Sequence, residues 1–494
     1  MGQMSFFVPQ PARLLPEAKD CAYLAGMDGI PWEGRLRWDQ ELLKIERDGR
    51  ESGNLHFLWN DAKYGELVLC TGSLMERAGP YHLPVELARG TLNRLRNQAA
   101  AWEQAGMVLP QAFFPMLRQA GHLFAQAATG QDQPVAAAEF AEQAIQKGLD
   151  AIYLLSADYV RQVLEIRRSQ QPQLSTLLAG RLDDVPQGAA EEAFLAAFNT
   201  ALLSPNWRDC APIAGEHKWE LLDRQVQWCR DHGLRICMGP LVQLDRNRLP
   251  DWLYLWEDEY EEVESHMLDF ADAVVDRYRG RVHLWICSGR MNIPGALALS
   301  EEQRLKMTVD LLEMTRDLDA RTPAIASFDQ PWAEYIAAQD QELTPLNFAD
   351  TLVRSELGLA GVGLEMNLGY WPDGTLPRDP IEISRLIDRW GVLQIPVVAI
   401  ITAPSGSAPD AKAAHAARPM AGKAVGGISP ATQRTLVEWL LPLLIAKQPV
   451  QAVIWNQWSD ASEHDFPHGG LVDAQGRPKP ALQAIIAVRK QLLS

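Results

Sequence analysis

The feature that most constrains the fold is a regular alternation of short apolar runs with amphipathic segments, from about residue 174 to the C-terminus. The runs are nearly continuously apolar, as expected for parallel strands covered on both faces. They span 175–182, 199–204, 235–243, 282–288, 323–329, 361–367, 396–402 and 451–458. The segments between them have helical spacing of apolar residues. Eight such units in about 320 residues predict one closed (β/α)8 barrel, with functional groups at the C-terminal ends of the strands.

The composition and apolar spacing of the chain before the barrel change near residue 80. Residues 1–80 contain short alternating or apolar runs broken by Gly, Asn and Asp, which favour a small β-structure. Residues 81–172 are rich in alanine, with apolar residues at helical spacing. We therefore predict an α/β protein with a β-rich N-terminal module (1–80), a helical connecting region (81–172) and a barrel (173–494). A doubly wound open sheet is the alternative, but no Gly-rich phosphate loop follows any predicted strand.

Charge and the N-terminal sequence limit the partners. The formal net charge is −17, which argues against nucleic acids and anionic membranes because both select basic surfaces. A neutral ligand such as a sugar is compatible with this charge. The first residues lack a basic segment followed by an apolar one, and the chain has no run of 18 apolar residues, so we expect a cytoplasmic protein without a membrane partner. No organic cofactor is implied.

Several motifs in the barrel part occur in an order typical of one enzyme family. They are KWELLDRQVQWCRDHGLRICMGPLV (218–242), LPDWL (249–253), DAVVDRYRGRVHLW (272–285), GVGLEMN (361–367) and HGGLVDAQGRPKPAL (468–482). Together they resemble the family-10 glycoside hydrolases, the xylanase-type (β/α)8 enzymes. The resemblance covers residues 175–494 and implies a poly- or oligosaccharide partner.

The resemblance also shows where this chain departs from the family. The family's acid/base glutamate corresponds to Arg290, and its nucleophilic glutamate corresponds to Ala403. Retaining glycosidases need two carboxyl groups roughly 5–5.5 Å apart. Arginine cannot donate a proton near neutral pH, and alanine has no nucleophile. The resemblance therefore implies that the family's double displacement is lost.

Polar and aromatic residues still cluster at the predicted strand ends. Glu365 and Asp329 are the candidate catalytic carboxylates. Sugars bind through aromatic faces and fixed hydrogen-bonding groups. The candidate substrate-binding residues are Trp285, Arg290, Trp332, Asn367, Trp371, Trp455, Asn456, Trp458 and Asp460. Because an arginine replaces a glutamate and Glu365 replaces a glutamine, a structural ion pair between Glu365 and Arg290 is the favoured interpretation.

The histidines near the C-terminus are a weaker candidate for a site. His464, Asp465 and His468 contain potential metal ligands, but they lie in a loop without a supporting pattern. Solvated or capping roles are favoured, so no metal site is predicted.

Three functions remain open, in order of preference. The first is glycan recognition at the C-terminal face of the barrel without hydrolysis. The second is an active O-glycosyl hydrolase that uses relocated carboxylates, Glu365 with Asp329, Asp245 or Asp460, which requires a separation of roughly 5–10 Å. The third is a non-catalytic intracellular scaffold, whose barrel mouth is plugged by the N-terminal region or by loop 403–428.

Overall fold

The computed structural model describes residues 2–11, 14, 16–339, 341–415, 417–420 and 427–493. The N-terminal region begins with two small sheets. Their strands are β1 (Gly2–Phe7), β2 (Tyr23–Ala25), β3 (Arg35–Asp39), β4 (Leu42–Arg47), β5 (Asn54–Asp61), β6 (Gly65–Cys70) and β7 (Tyr81–His82). One sheet has the order β3-β4-β1-β7 and the other β2-β5-β6. The β-rich character expected for this region is therefore present.

Three helices follow these sheets: α1 (Leu83–Gln104), α2 (Phe113–Thr129) and α3 (Pro134–Gln170). Pro84 and Pro134 stand at the first turn of α1 and α3, where a missing N–H costs no hydrogen bond. Buried alanines such as Ala141 and Ala144 let α3 lie close to the other two helices. Gly90 lets α1 lie on β6, because a Cβ at Gly90 would stand 1.9 Å from the Cys70 carbonyl oxygen.

The remainder of the chain alternates strands and helices. The strands are β8 (Leu177–Arg181), β9 (Thr200–Leu203), β10 (Arg235–Met238), β11 (Val242–Gln243), β12 (Leu284–Gly289), β13 (Ala324–Asp329), β14 (Gly361–Asn367), β15 (Tyr370–Trp371), β16 (Val397–Thr402), β17 (Arg418–Pro419) and β18 (Val450–Trp455). The helices are α4 (Ala189–Ala197), α5 (Trp207–Cys210), α6 (Glu220–Asp231), α7 (Tyr260–Tyr278), α8 (Glu301–Leu318), α9 (Pro345–Arg354), α10 (Pro380–Trp390), α11 (Pro430–Ala446) and α12 (Pro480–Leu492).

Eight of these strands form a closed parallel barrel. Its order is β8-β9-β10-β12-β13-β14-β16-β18, and β18 pairs with β8 to complete the circle. The predicted (β/α)8 barrel is confirmed, and each of the eight barrel strands overlaps one of the eight apolar runs in the sequence. The open doubly wound sheet is excluded by this closure.

The two faces of each barrel strand pack against different cores. One cluster fills the barrel interior and consists of Leu177, Ala179, Leu202, Cys237, Leu284, Ile286, Ile325, Val398, Ile400, Ala452 and Ile454. The alternate residues pack outward against the helices. Because side chains alternate along a strand, the residues of this interior cluster determine which residues at each strand end face the mouth of the barrel.

The N-terminal region and the barrel share buried contacts. The N-terminal core includes Leu376, Ile381 and Met420, which belong to the barrel part of the chain. Arg94 of α1 is buried and bridges to Asp379 and Glu382 at the start of α10. The predicted limits of the three domains stay a prediction, but these contacts join the regions on either side of residue 172.

All six cysteines are free thiols, and five of them are buried. None of the described helices is both long and apolar enough to cross a membrane.

Candidate functional site

The mouth of the barrel is filled by polar side chains. The inward positions at the strand ends are Arg181, Ser204, Gln243, Arg290, Asp329, Glu365, Asn367, Thr402 and Asn456. Several of them enclose a cavity of about 10 Å³, which is room for roughly one water molecule. The centre of the mouth is therefore a packed polar cluster.

Arg290 lies at the centre of this cluster, directly after β12, with φ of 60°. Its Nη1 donates to Asp245 Oδ2 at 2.7 Å, and its Nε donates to Glu365 Oε2 at 3.0 Å. Asp329 Oδ2 stands 3.4 Å from the same Nε. The ion pair expected between Arg290 and Glu365 is therefore confirmed. Burial alone lowers the pKa of the guanidinium, but the three carboxylates outweigh it and raise that pKa well above its usual value.

The two candidate catalytic carboxylates lie side by side. Glu365 Oε1 also accepts a hydrogen bond from Ser327 Oγ at 2.8 Å, and Asp329 Oδ1 accepts one from Asn367 Nδ2 at 3.1 Å. Asp329 Oδ2 has no hydrogen-bond partner among the described residues. Burial raises the pKa of Asp329 to about 7, although Arg290 lowers it. Each carboxylate has an oxygen within 3.4 Å of one arginine nitrogen, so the pair is close enough for a glycosidase carboxylate pair.

The described part of loop 403–428 lies across this cluster. His415 Nε2 is 2.8 Å from Arg290 Nη1, and its ring stacks on Phe466 at 4.7 Å. The backbone N–H of His415 donates to the Asp465 carbonyl at 3.0 Å. Since a guanidinium only donates, His415 Nε2 accepts and the ring is neutral. Burial and the charge of Arg290 lower the pKa of His415, which agrees with that neutral form.

A second buried charge cluster borders the first. Asp465 accepts from Arg248 Nη2 at 2.8 Å and from Arg181 Nη1 at 3.0 Å. Burial would raise the pKa of Asp465, but the two guanidinium groups hold it well below its usual range. Arg181 ends a predicted strand, but no sequence pattern places Arg248, His415 or Phe466 beside it, because these three residues lie in loops that are distant from it in sequence.

Three tryptophans proposed to bind substrate face the helices. Trp285 donates from Nε1 to Asp319 at 3.1 Å, and Trp455 donates from Nε1 to the Gly469 carbonyl at 3.0 Å. Trp458 packs edge-on against Phe194 at a centroid distance of 5.1 Å. All three belong to the core between the strands and the helices. The structure therefore does not bring them together around the mouth.

The other candidate residues lie in several places. Trp332 is buried beneath Arg378, at 5.1 Å from ring centroid to guanidinium. Trp371 is half-buried and lines a cavity of about 220 Å³ beside the N-terminal region. Asp460 is buried and ion-paired with Lys479. Asn456 faces the mouth and is half-buried.

The end of β16 differs from what the resemblance implies for side-chain direction. Val398 and Ile400 face the barrel interior, so Thr402 occupies the next inward position. Ala403 belongs to the outer core, and its carbonyl accepts from Gln433 Nε2 of α11 at 2.8 Å. The residue that faces the mouth on this strand is therefore threonine.

A polar cleft of about 780 Å³ opens beside the Arg290 cluster. It lies between the ends of β8 and β9 and the segments 411–414 and 462–465. Its polar lining residues include Arg181, Asp183, Asn206, Lys218, Arg224, Gln225, Asn247, Arg248, Lys412, Glu463, His464 and Asp465. The three histidine-loop residues each have a protein partner: His464 contacts Asp410 at 3.0 Å, Asp465 holds the two arginines, and His468 Nε2 lies 2.8 Å from the Ala408 carbonyl oxygen.

Neither a protein-family model nor a curated protein matches the chain. Similar solved structures include native xylanase 10B from Thermotoga maritima, at 16% identity over 66% of this chain and 98% of that one, with a TM-score of 0.48. Xylanase B from Clostridium stercorarium F9 is 17% identical over 63% of this chain and 96% of that one, with a TM-score of 0.47. An intracellular xylanase from Thermoanaerobacterium saccharolyticum is 16% identical over 64% and 96%, with a TM-score of 0.48. The strand pairings of the chain itself establish the barrel, and these enzymes are similar to it in fold only.

Proposed function

We propose that this protein binds an oligosaccharide at the C-terminal face of its barrel and does not cleave it by double displacement. The observation that carries the proposal is the buried cluster around Arg290. Glu365, Asp329 and Asp245 share one guanidinium, and His415 lies across it. A catalytic acid or base must exchange a proton with substrate, and a carboxylate held in a buried arginine pair is not available for that exchange.

The polar cleft beside this cluster is the proposed sugar site. Its volume of about 780 Å³ lies within the range of small-ligand sites. The amide of Asn247 both donates and accepts, as sugar hydroxyls do. Lys412 extends from the loop that crosses the mouth and is exposed at the cleft edge. The cleft thus offers hydrogen bonds of both kinds next to the strand ends.

The test is calorimetric titration with xylotetraose, cellotetraose and mannotetraose, together with an assay for released reducing sugar. We expect binding of at least one tetrasaccharide, roughly fivefold weaker in Asn247→Ala because a charge-free hydrogen bond is worth about 1 kcal/mol. Lys412→Ala should also weaken binding, since Lys412 lies at the cleft edge, and Lys44→Ala, on the N-terminal sheet, is its matched control. Release of reducing sugar by the wild type, or no binding across the panel, contradicts the proposal.

Hydrolysis by relocated carboxylates is the second candidate. It is favoured by the pKa of Asp329 of about 7 and by the unbonded Oδ2 of that residue, next to Glu365. Such chemistry requires the His415 segment to withdraw from the mouth. Turnover of aryl glycosides that disappears in Glu365→Gln and in Asp329→Asn would establish it. Turnover that persists in both variants would exclude this pair as its source.

A scaffold role is the third candidate, and the His415 segment over the mouth is an arrangement that it requires. Glycan binding in the adjacent cleft requires only that the cleft itself stay open. Failure of every tetrasaccharide to bind, without turnover, would favour the scaffold over the other two functions.

A further inference from the structure

A second large cavity lies outside the barrel mouth, where the N-terminal region meets the barrel. Its volume is about 520 Å³. It is lined by the hairpin residues before and in β6, by α3, by the segments that follow β14 and β16, and by α11. Among the described residues, none lines both this junction cavity and the polar cleft. The two are therefore separate candidate sites.

One wall of the junction cavity is aromatic. Tyr64 and Tyr153 stack with centroids 4.5 Å apart and planes 8° from parallel, and Trp439 meets Tyr153 edge-on at 6.0 Å. All three side chains are half-buried. Tyr64 is fixed by a hydrogen bond from its hydroxyl to Asp150 at 2.8 Å. The wall is thus a set of oriented rings with part of their surface open.

Buried polar atoms without partners also belong to residues that line this cavity. Gln433 donates through Nε2 to Ala403, but its Oε1 has no donor in the described part of the chain. Glu66 Oε2 likewise lacks a donor, and Arg378 has an unused Nε and Nη1. The three side chains belong to residues that are 1%, 6% and 3% exposed. Each buried polar atom left without a partner costs about 1–3 kcal/mol, so a rotation of these side chains toward a ligand that supplied the partner would be favourable.

These atoms define the chemistry of a ligand. Gln433 Oε1 and Glu66 Oε2 need donors, whereas the Arg378 nitrogens need acceptors. Hydroxyl groups serve both needs. The charge of Arg378 is already balanced by an ion pair with Glu334, so no ligand charge is required. Burial raises the pKa of Glu66 to about 7, which reduces its charge at neutral pH. A neutral ring that carries several hydroxyls and has an apolar face satisfies the polar atoms and the aromatic wall together.

We infer that the junction cavity is a second carbohydrate site, which takes a pyranose unit against Trp439. Its hydroxyls bond to Gln433, Glu66 and Arg378, and its C–H face lies on the indole. This site is independent of the proposed oligosaccharide site in the polar cleft. It also gives the N-terminal region a part in ligand binding, since Glu66 and the Tyr64 ring come from that region.

The experiment is titration of the intact protein with xylobiose, cellobiose and maltose, in which NMR of the tryptophan indole N–H groups monitors binding. Trp439→Phe identifies the Trp439 resonance and keeps an aromatic wall. We expect this resonance to shift in the wild type as one of the disaccharides binds. We also expect Trp439→Ala to weaken that binding about tenfold, and Lys44→Ala, on the N-terminal sheet, to change it less than twofold.

The outcomes separate this site from the cleft. Because the Trp439 resonance is followed in the wild type, the test does not depend on the folding of Trp439→Ala. A resonance that stays fixed at saturating disaccharide, while Lys412→Ala abolishes binding, overturns the junction site and leaves the cleft proposal intact. A shift that survives in Lys412→Ala supports the junction site even if no tetrasaccharide binds the cleft. No binding of any disaccharide overturns the inference.

Discussion

Replacement of Arg290 by methionine tests the interpretation of the barrel mouth most directly. The guanidinium is 2% exposed and contacts Asp245, Asp329 and Glu365 at 2.7 to 3.4 Å. Methionine fills a similar volume but leaves the buried carboxylates of Asp329 and Glu365, and the half-buried one of Asp245, without a cation. Loss of one partner of a buried pair costs about 3–5 kcal/mol, so we expect Arg290→Met to lower the free energy of unfolding by at least about 3 kcal/mol at pH 8.

The cost should depend on pH in a defined direction. The charge of Arg290 lowers the pKa of Asp329, which still lies at about 7, so the substitution raises that pKa further. A carboxyl group whose pKa is higher in the folded than in the unfolded state binds more protons when folded. Its folded form is then favoured at low pH and loses stability as the pH rises through the folded pKa. Arg290→Met should therefore be less destabilising at pH 5 than at pH 8.

The assay is urea-induced unfolding followed by tryptophan fluorescence at both pH values. Arg279→Met is the matched control, because Arg279 is exposed and its pair with Asp276 is worth about 0–1 kcal/mol. The double variant Arg290→Met/Asp329→Asn should recover part of the loss. A cost below about 1 kcal/mol, or an equal cost at both pH values, would refute the account of a charge cluster held by one arginine.

Three further predictions follow from other contacts. The pKa of His415 is lowered in the folded protein, so the contact of its segment with Arg290 should be fully formed above about pH 6.5 and be lost at lower pH. Hydrogen exchange of residues 409–415 should therefore accelerate from about pH 7.5 to about pH 5.5. A rate that does not depend on pH, after correction for intrinsic exchange, would contradict this. Arg94→Met leaves Asp379 and Glu382, at the start of α10, without their cation and should lower the free energy of unfolding by about 3–5 kcal/mol. Thermal unfolding measures this loss against the control Arg96→Met, at an exposed neighbour, which should cost under about 1 kcal/mol. Trp458→Ala should cost about 3–5 kcal/mol through lost packing but leave oligosaccharide affinity unchanged; weaker binding by a fully folded variant would restore the tryptophan as a ligand contact.

The barrel was predictable from the sequence because its strands are buried on both faces. Such strands are continuous apolar runs, and the eight runs coincide with the eight barrel strands. The Arg290–Glu365 pair was also predictable. Relative to the family that the sequence resembles, an arginine replaces a glutamate at one strand end and a glutamate replaces a glutamine at another, and opposite charges at strand ends that meet in one barrel mouth pair. The covering by His415 and Phe466 was not, because loop contacts over long sequence distances leave no periodic pattern.

The orientation of the tryptophans was partly predictable from the alternation of side chains along a strand. Trp285 and Arg290 differ by an odd number of positions along one strand, so regular alternation sends them to opposite faces. Trp455 and Asn456 are adjacent and cannot both face the mouth. An arginine or asparagine in the mouth therefore implies a tryptophan toward the helices. The sequence does not decide which residue of each pair faces the barrel interior and which faces the helices, because these strands are apolar on both faces.

The shared core has a consequence for synthesis on the ribosome. Leu376, Ile381 and Met420 complete the hydrophobic core of the N-terminal region, yet they are translated about 200 residues or more after its last helix. The first 172 residues therefore emerge with part of their apolar surface still uncovered, and Arg94 emerges without its two acidic partners. The core of the N-terminal region is therefore complete only after residues 376–420 have been translated, so its folding depends on the synthesis of much of the barrel.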